Sequence, residues 1–320
     1  MSEGTAATVR WPGGIVQELH NRNMKLHVIK NKNYWFFLSG FLVLASIILV
    51  IYPGLKYGVD FTGGSLIEID FDQPVSVGAL RQTLEDAGYK DATIQTTGEK
   101  GYLIRTQALS EDEHQLVLNA TKTAHGNLIE QSFESVGPVI GDELRRTATI
   151  GIILTLVLIG LYVAWAFRKV SDPVASWKYA LITMFTAFHD VIIMLGAFAL
   201  FGVLFGWEVG AGIVAAALTV LGYSINDTIV VFDRTRENLL HRAAPSLSET
   251  VEMSIEQTLV RSLSTGSPTI LALFAIFFFG GDSTQPFALA LIIGIVVGTY
   301  SSIFLASPLL VVWEKMKKKG

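Results

Sequence analysis

The chain has 320 residues, of which 51% are hydrophobic and only 16% are charged, and its formal net charge is −4. Soluble domains average about 25% charged residues, so this composition excludes an ordinary soluble protein and indicates a protein that lies in a membrane. The chain has no cysteine and no Gly-x-x-x-x-Gly-Lys-Ser/Thr string, which excludes disulfides, thiolate chemistry and a P-loop for ATP.

Hydrophobic runs of bilayer length predict six transmembrane spans. The first run follows 33 mostly polar residues. It is too long for the apolar core of a signal peptide and has no small-x-small cleavage site, so we expect it to remain as the first span. The six predicted spans are Tyr34–Tyr52, Thr147–Phe167, Tyr179–Phe205, Gly210–Phe232, Leu263–Gly280 and Phe287–Trp313.

The distribution of positive charge predicts the orientation of these spans. Of the 24 Lys and Arg residues, eight lie between the first two spans, and the other sixteen lie in segments on the opposite side of the membrane. By the positive-inside rule, we expect both termini in the cytoplasm. The predicted domains are a cytoplasmic N-terminal segment (1–33), a first transmembrane helix (34–54), an extracytoplasmic domain (55–146), a five-helix transmembrane region (147–313) and a basic cytoplasmic tail (314–320).

Residues 55–146 form the one long polar region, and their pattern predicts a ferredoxin-like α+β domain between the first and second transmembrane helices. Ser65–Phe71 alternates with the period of two that is typical of a strand. Ser110 and Glu113 have the spacing of a capping box at the start of a helix. In chain order the predicted elements are strand Ser65–Phe71, helix Val77–Ala87, strands Ala92–Thr97 and Tyr102–Gln107, a helix from Ser110, and strand Leu128–Val136.

This domain shows no catalytic constellation, so we expect a module for contact or transmission of movement and not an enzyme. The six histidines of the chain do not cluster at metal-ligand spacing, so we predict no metal and no cofactor. His114 and His125 fall among acidic neighbours on the second predicted helix. We interpret both as surface residues.

Asp227 is the one formal charge within Gly212–Phe232. An ionisable side chain inside a span costs about 2.5–3.5 kcal/mol on insertion scales, and residues of this kind usually serve ion or proton movement. Burial favours a carboxyl group that carries a proton near neutral pH. The alternative interpretation is a permanently paired aspartate that only locks two helices together.

Three stretches of the chain resemble the SecD/SecF family of translocation subunits. Residues Tyr57–Glu68, directly after the first span, are similar to its Gly-x-Asp-Phe-x-Gly-Gly motif. Gly222–Asn238 is similar to the fourth-span motif of the SecF members in particular, and Phe133–Gly141 matches the stretch before their second span. The resemblance extends from about Tyr57 to the C-terminus and leaves residues 1–33 without an interpretation.

This resemblance implies a subunit that pairs with SecD in a twelve-helix unit like that of the resistance-nodulation-division transporters. It implies a bacterial cytoplasmic membrane location beside the SecYEG channel, where the pair uses the proton motive force to help complete translocation of a polypeptide. Its partners would be SecD, SecYEG, the translocating polypeptide and the lipid bilayer, and we see no reason to invoke nucleic acid. By motif, Asp227 and Arg261 match the family's proton path.

Several other side chains are candidates for supporting this path. Arg261 stays protonated, so its role would be to hold or release Asp227, and the alternative is a side chain that snorkels to lipid phosphate. His189 and Asp190 form a second polar break, as a proton relay or as a hydrogen-bonded packing pair. Asn226 is expected to form a hydrogen bond across helices, and Tyr223 lies one turn before Asp227.

Gly63 and Gly64 lie where the chain leaves the first span. They suit a tight turn that needs positive φ, and they equally suit a hinge that lets the outer domain swing.

The resemblance and these residues predict a SecF-type subunit in which proton movement at Asp227 switches the helix bundle and moves the outer domain. Two alternatives stand beside it. One is a scaffold that docks partners on the channel without conducting ions, and the other is half of a lipid or drug exporter of the same superfamily. The coupling ion is H⁺ or Na⁺, because a carboxylate near hydroxyl groups suits either ion.

Overall fold

The structure is a computed structural model that describes residues 26–168, 174–281 and 284–317. Residues 1–25 of the predicted N-terminal segment and residues 318–320 of the predicted tail lie outside this range. In the described part of the chain the helices are α1 (Lys32–Leu49), α2 (Val59–Thr62), α3 (Val77–Asp86), α4 (Glu111–His125), α5 (Pro138–Ala166), α6 (Ser176–Phe205), α7 (Ala211–Leu240), α8 (Leu247–Phe279), α9 (Gln285–Ser301) and α10 (Ser307–Lys317), with π-helical segments at Val50–Gly54 and Ser302–Ala306.

Six helical segments of the described residues are long and apolar enough to cross a membrane, which confirms the six predicted spans. Their ends differ from the prediction because hydropathy marks where apolar sequence stops and not where a helix stops. Three of them extend well into polar sequence. The six segments are Lys32–Gly54, Pro138–Ala166, Ser176–Phe205, Ala211–Leu240, Leu247–Phe279 and Gln285–Lys315.

The second and fifth spans show this difference most clearly. Helix α5 begins at Pro138, within the region predicted to belong to the outer domain, because Gly137 is extended and proline suits the first turn of a helix. Helix α8 runs without interruption from Leu247 to Phe279, with Pro268 inside it. Its N-cap is Ser246, whose side chain accepts a hydrogen bond from the Glu249 backbone N–H at 3.3 Å.

The α+β domain is a four-stranded antiparallel sheet of β1 (Gly64–Phe71), β2 (Thr93–Thr97), β3 (Gly101–Thr106) and β4 (Leu128–Val136). The strand order is β2-β3-β1-β4. Together with α3 and α4, this order confirms the ferredoxin-like prediction. Alternate residues of β1 are buried with residues of both helices, and this core contains Ile67, Ile69, Phe71, Leu80, Leu84, Ile104 and Val117.

The N-terminus of α4 has the predicted capping box. The Ser110 side chain accepts a hydrogen bond from the Glu113 backbone N–H, and the Glu113 carboxylate accepts from the Ser110 backbone N–H at 2.8 Å. That backbone hydrogen bond, with a second one from the Ser110 hydroxyl, lowers the pKa of Glu113 from its ordinary value. His114 is buried and its ring stacks on Phe133 at a centroid distance of 3.7 Å, so the prediction of a surface histidine there was wrong.

The six spans divide into an inner and an outer group. About half or more of the best apolar window is buried in the segments containing α6 (50%), α7 (50%) and α9 (61%), against 11% for α1, 11% for α5 and 17% for α8. Polar side chains on the inner faces of α6, α7 and α9 are therefore enclosed by protein. Helices α7 and α9 approach closely, because Gly294 of α9 has no side chain where Val220 of α7 packs.

We expect Gly294→Ala to lower the thermal stability of the purified protein in detergent. An added methyl group would overlap the Cγ2 atom of Val220, and a valine side chain has little freedom to rotate away. Overpacking of this kind costs about 1–3 kcal/mol. The matched control is Gly151→Ala on α5, where the new methyl group meets nothing within 4 Å. Equal unfolding temperatures for the two variants would contradict this packing.

Candidate functional site

Asp227 lies on the inner face of α7 and is buried. Its Oδ2 atom accepts a hydrogen bond from the Ser302 hydroxyl at 2.7 Å. Ser262 of α8 also interacts with this carboxyl group, although its buried hydroxyl makes no hydrogen bond of normal geometry in the described part of the chain. Three parts of the bundle therefore meet at Asp227: α7, α8 and the π-helical segment.

Arg261 precedes Ser262 on α8, but its side chain is exposed. The guanidinium acts on Asp227 through its charge, yet no ion pair within 4.0 Å joins the two side chains in the part of the chain that the structure describes. The structure therefore brings Arg261 near the carboxyl group without closing the pair. This geometry fits an arginine that approaches Asp227 in another state of the bundle, and it also fits the snorkelling alternative.

Asp190 is completely buried in α6 and uses both of its carboxylate oxygens. Oδ1 lies 2.8 Å from His189 Nδ1. Oδ2 accepts hydrogen bonds from Ser224 of α7 at 2.5 Å and from Ser301 of α9 at 2.8 Å. Asp190 thus joins the three inner helices, and its polar partners reach the α7 helix one turn from Asp227.

Two adjacent serines each donate a hydrogen bond to one of the two buried aspartates. Ser301 donates to Asp190 and Ser302 donates to Asp227, at the point where α9 changes into the π-helical segment. We name Asp190, Asp227, Ser224, Ser301 and Ser302 the carboxyl site. π-Helical turns often mark functional positions, and here the change in register presents consecutive serines to two different carboxyl groups.

Sequence reasoning missed Ser301 and Ser302. Serine in an apolar run has little effect on hydropathy, and the contacts to Asp190 and Asp227 join residues that are far apart in the chain. Pro308, which cannot donate a backbone hydrogen bond to the preceding turn, was a local signal that helical geometry changes here.

The threonines that share a helical face with Asp190 do not extend the carboxyl site. Thr183 donates to the Tyr179 carbonyl at 2.8 Å, and Thr186 donates to the Ile182 carbonyl at 3.0 Å. Both hydroxyls therefore bond to their own helix.

A buried ion pair joins the start of α6 to α10, where Lys178 Nζ contacts Glu314 Oε2 at 2.7 Å. The sequence offered no signal for this pair, because the two residues are 136 positions apart in the chain.

Tyr223 and Asn226 have different environments. Tyr223 interacts with Thr299 and, through charge, with Asp227. Gly266 of α8 leaves room for the phenol oxygen, which would lie 2.8 Å from a Cβ atom at that position. Asn226 is exposed on the other side of α7, and no described hydrogen bond joins it to another helix of this chain, so the expected cross-helix bond is absent here.

Gly63 and Gly64 have φ values of 71° and 123°, which non-glycine residues rarely adopt. A Cβ atom on Gly63 would lie 2.8 Å from the Pro138 Cα atom, and one on Gly64 would lie 2.7 Å from the Thr106 carbonyl oxygen. The turn is therefore packed tightly on both sides. This geometry favours the tight-turn interpretation over a free hinge.

Two sequence profiles, both of the SecD/SecF family, match parts of this chain. A sequence profile described as "Protein export membrane protein SecD/SecF, C-terminal" matches residues 117–316, and the "SecD/SecF GG Motif" profile matches residues 53–75. The protein translocase subunit SecF of Thermobaculum terrenum is 40% identical over 301 residues, which cover 90% of this chain and 94% of that protein. SecF of Pseudomonas aeruginosa is 40% identical over 261 residues and 81% of each chain.

Solved structures show the same similarity. The crystal structure of SecDF from Thermus thermophilus, described as a translocon-associated membrane protein, superposes with a TM-score of 0.77 at 35% identity. The match covers 90% of this chain but 38% of that longer chain. SecDF in a "Super-membrane-facing form" superposes with a TM-score of 0.65 at 36% identity, over 91% of this chain and 39% of the other.

Proposed function

This chain belongs to the SecF family of protein translocase subunits, and we propose that it acts with SecD to convert the proton motive force into completion of protein translocation. As a SecF-type subunit it is a multi-pass membrane protein in protein transport. In this proposal it catalyses no covalent reaction. It lies in the bacterial cytoplasmic membrane with both termini in the cytoplasm, and its α+β domain is on the far side, where the polypeptide emerges from SecYEG.

The observation that carries this proposal is the carboxyl site. Two carboxyl groups inside the transmembrane bundle are costly unless each has partners. Here Asp190 has three hydrogen-bond partners and Asp227 has one, and the adjacent Ser301 and Ser302 connect the two groups. Such a site responds to protonation, because an ionised carboxylate only accepts hydrogen bonds, whereas a protonated carboxyl group also donates one.

In the proposed mechanism, the protonation state of Asp227 selects between two arrangements of the bundle. Ionised Asp227 accepts from Ser302 and attracts Arg261, whereas protonated Asp227 is neutral and releases the arginine. Asp190 and His189 extend the path on the α6 side. The pairing with an imidazole favours H⁺ over Na⁺ as the coupling ion, because a ring nitrogen exchanges protons readily and sodium prefers oxygen ligands.

A SecD partner agrees with the exposure of the outer spans. Helices α1, α5 and α8 leave most of their apolar residues uncovered by this chain, and lipid or a matching set of helices must cover them. The protein named SecDF in Thermus thermophilus is 39% identical to 84% of this chain, and the match covers 36% of its own length. We propose that SecD supplies the second half of a twelve-helix unit.

Two alternatives make different predictions. If this chain is a scaffold without ion coupling, the complex needs it for assembly, but translocation does not respond to the ion gradient through this chain. A lipid or drug exporter of the same superfamily would transport a small amphiphile, and the family matches of this chain do not favour it, since their names concern protein export and translocation.

The test uses inside-out membrane vesicles that contain SecYEG, SecD and this chain, with a client protein arrested late in translocation. We expect an imposed pH gradient in sodium-free buffer to drive completion, and an imposed Na⁺ gradient at equal pH to have no effect. Completion driven by Na⁺ alone would correct the coupling ion. Completion that requires this chain but neither gradient would support the scaffold instead.

A further inference from the structure

The turn that follows the first span is bonded directly to the start of the helix that carries Asp227. The Asp60 carboxylate accepts a hydrogen bond from the Ala211 backbone N–H at 2.6 Å. Ala211 is the first residue of α7, and its N-cap residue Gly210 has no side chain to satisfy the free N–H groups there. Asp60 therefore caps α7 from a distant part of the chain, and its negative charge suits the positive end of the helix dipole.

Backbone hydrogen bonds hold the same two segments together. The Gly58 N–H donates to the Val209 carbonyl at 2.9 Å, and the Val209 N–H donates to the Lys56 carbonyl at 2.7 Å. These bonds form a parallel bridge between Tyr57 and Val209. We name residues 56–60 and 208–211 the junction.

The α+β domain contacts this junction from its other side. Arg105 of β3 forms an ion pair with Glu208, and its Nη1 atom lies 3.5 Å from the Tyr57 carbonyl oxygen. Arg105 is itself partly buried, so this pair is screened less than an exposed one. Together with the close packing of Gly63 and Gly64, these contacts leave little freedom between the base of the domain and the N-terminus of α7.

We propose that Asp60 is a positioning residue that couples the α+β domain to α7, so that movement of α7 at the carboxyl site moves the domain. This inference rests on the proposed function. Asp227 lies sixteen positions after Ala211 on one continuous helix, a distance of about 24 Å at 1.5 Å per residue. A helix is stiff over this length, so a displacement near Asp227 reaches the junction as a displacement of Ala211.

The first variants weaken the Asp60 contact from each of its two sides. Asp60→Ala removes the acceptor. Gly210→Ala does not substitute Asp60. Its new methyl group would lie 2.6 Å from Asp60 Oδ2 and would displace the carboxylate from Ala211. Gly210 has an extended backbone that alanine adopts freely. The matched control is Gly212→Ala, where the new methyl group meets only a Phe287 ring atom at 3.9 Å.

We expect Asp60→Ala and Gly210→Ala to lose most of the export activity while they retain SecD binding and proton-driven events at Asp227. Gly212→Ala keeps normal export. Proton release by purified SecD-bound complex after a pH jump reports on the carboxyl site independently of the domain. A merely structural role for Asp60 would lower the amount of complex and leave the export per complex unchanged.

An engineered disulfide can replace the lost contact. The chain contains no cysteine of its own, so two introduced cysteines can pair only with each other. Residues paired across a bridge have Cα atoms about 4.8 Å apart. Disulfides need about 4.4–6.8 Å, so Tyr57→Cys with Val209→Cys suits the junction. With a cysteine-free SecD, we expect oxidation of this pair to restore export in the Asp60→Ala background, and reduction to remove it again. In the wild-type background, we expect export by the pair to be the same when it is oxidised and when it is reduced.

Normal export by Asp60→Ala would overturn the inference, and so would a formed disulfide that fails to rescue export in that variant. In the wild-type background, a loss of export on oxidation of the pair that reduction reverses would also overturn it, because the junction would then have to open during function. This arm does not depend on the folding of Asp60→Ala. Failure of the proposed function looks different. In that case Asp227→Asn exports normally and the proton-release signal is absent from every variant, including the wild type.

Discussion

Asp227→Asn is expected to reduce export to the level of cells that lack this chain, while the amount of the complex with SecD stays unchanged. Asparagine has nearly the shape of aspartate, and its amide oxygen still accepts the hydrogen bond from Ser302. It has no titratable proton, so the switch at the carboxyl site is lost and its packing is kept. Pulse-chase labelling of a secreted client measures export, and co-purification of SecD measures assembly.

The matched control for this experiment is Asp233→Asn on the same helix. Asp233 is exposed and lies 3.5 Å from Arg236, in a surface pair of the kind that contributes little to stability. We expect normal export from this variant. Normal export from Asp227→Asn as well would contradict the proposed proton path and would favour the scaffold interpretation.

Much of the architecture could be predicted from the sequence, because each element has a strong local pattern. The spans are apolar over bilayer length, and a membrane leaves few alternatives to a helix for such a run. The α+β domain could be predicted because β1 alternates over Ser65–Phe71 and Ser110 with Glu113 marks the start of α4. These signals depend on neighbouring residues only.

The ends of the spans were less predictable, because a helix continues beyond the bilayer wherever its backbone bonds are satisfied. Helix α7 extends to Leu240 through Arg234, Arg236 and Glu237, and the ion pair of Arg234 with Glu237 stabilises one exposed turn. Hydropathy falls at these charged residues although the helix does not end there. Helix α8 likewise begins at Leu247, well before the apolar run that starts at Leu263.

The candidate site was predictable only in part. Asp190 and Asp227 are visible as charges in apolar runs, but their serine partners have no local signature. The exposure of Asn226 was also hidden, since adjacent residues on a helix point about 100° apart, and only the packed bundle shows which of two neighbours faces inward. The contact of Asp60 had no local signal either, because its partner at Ala211 is distant in sequence.

The contacts of Asp190 give its relay role and its packing role separate tests. Asp190→Asn keeps a group that hydrogen-bonds Ser224 and Ser301, so it preserves packing and removes the titratable proton. Asp190→Leu removes both, and it leaves the buried Ser224 hydroxyl without its acceptor, which costs about 1–3 kcal/mol, whereas Ser301 can still donate to the Gly298 carbonyl at 3.1 Å. We therefore expect Asp190→Leu to lower the unfolding temperature of the complex clearly and Asp190→Asn to change it little.

For export, we expect Asp190→Asn to be strongly impaired despite its normal stability, because the path from the α6 side to Asp227 is interrupted. Combining it with Asp227→Asn should then cause no further loss, since two residues that act in one path do not have additive effects. Normal export by Asp190→Asn, with instability confined to Asp190→Leu, would identify a packing pair. In that case Asp227 alone carries the coupling, and Ser301 serves to hold α9 against α6 while Ser302 remains with the ion site.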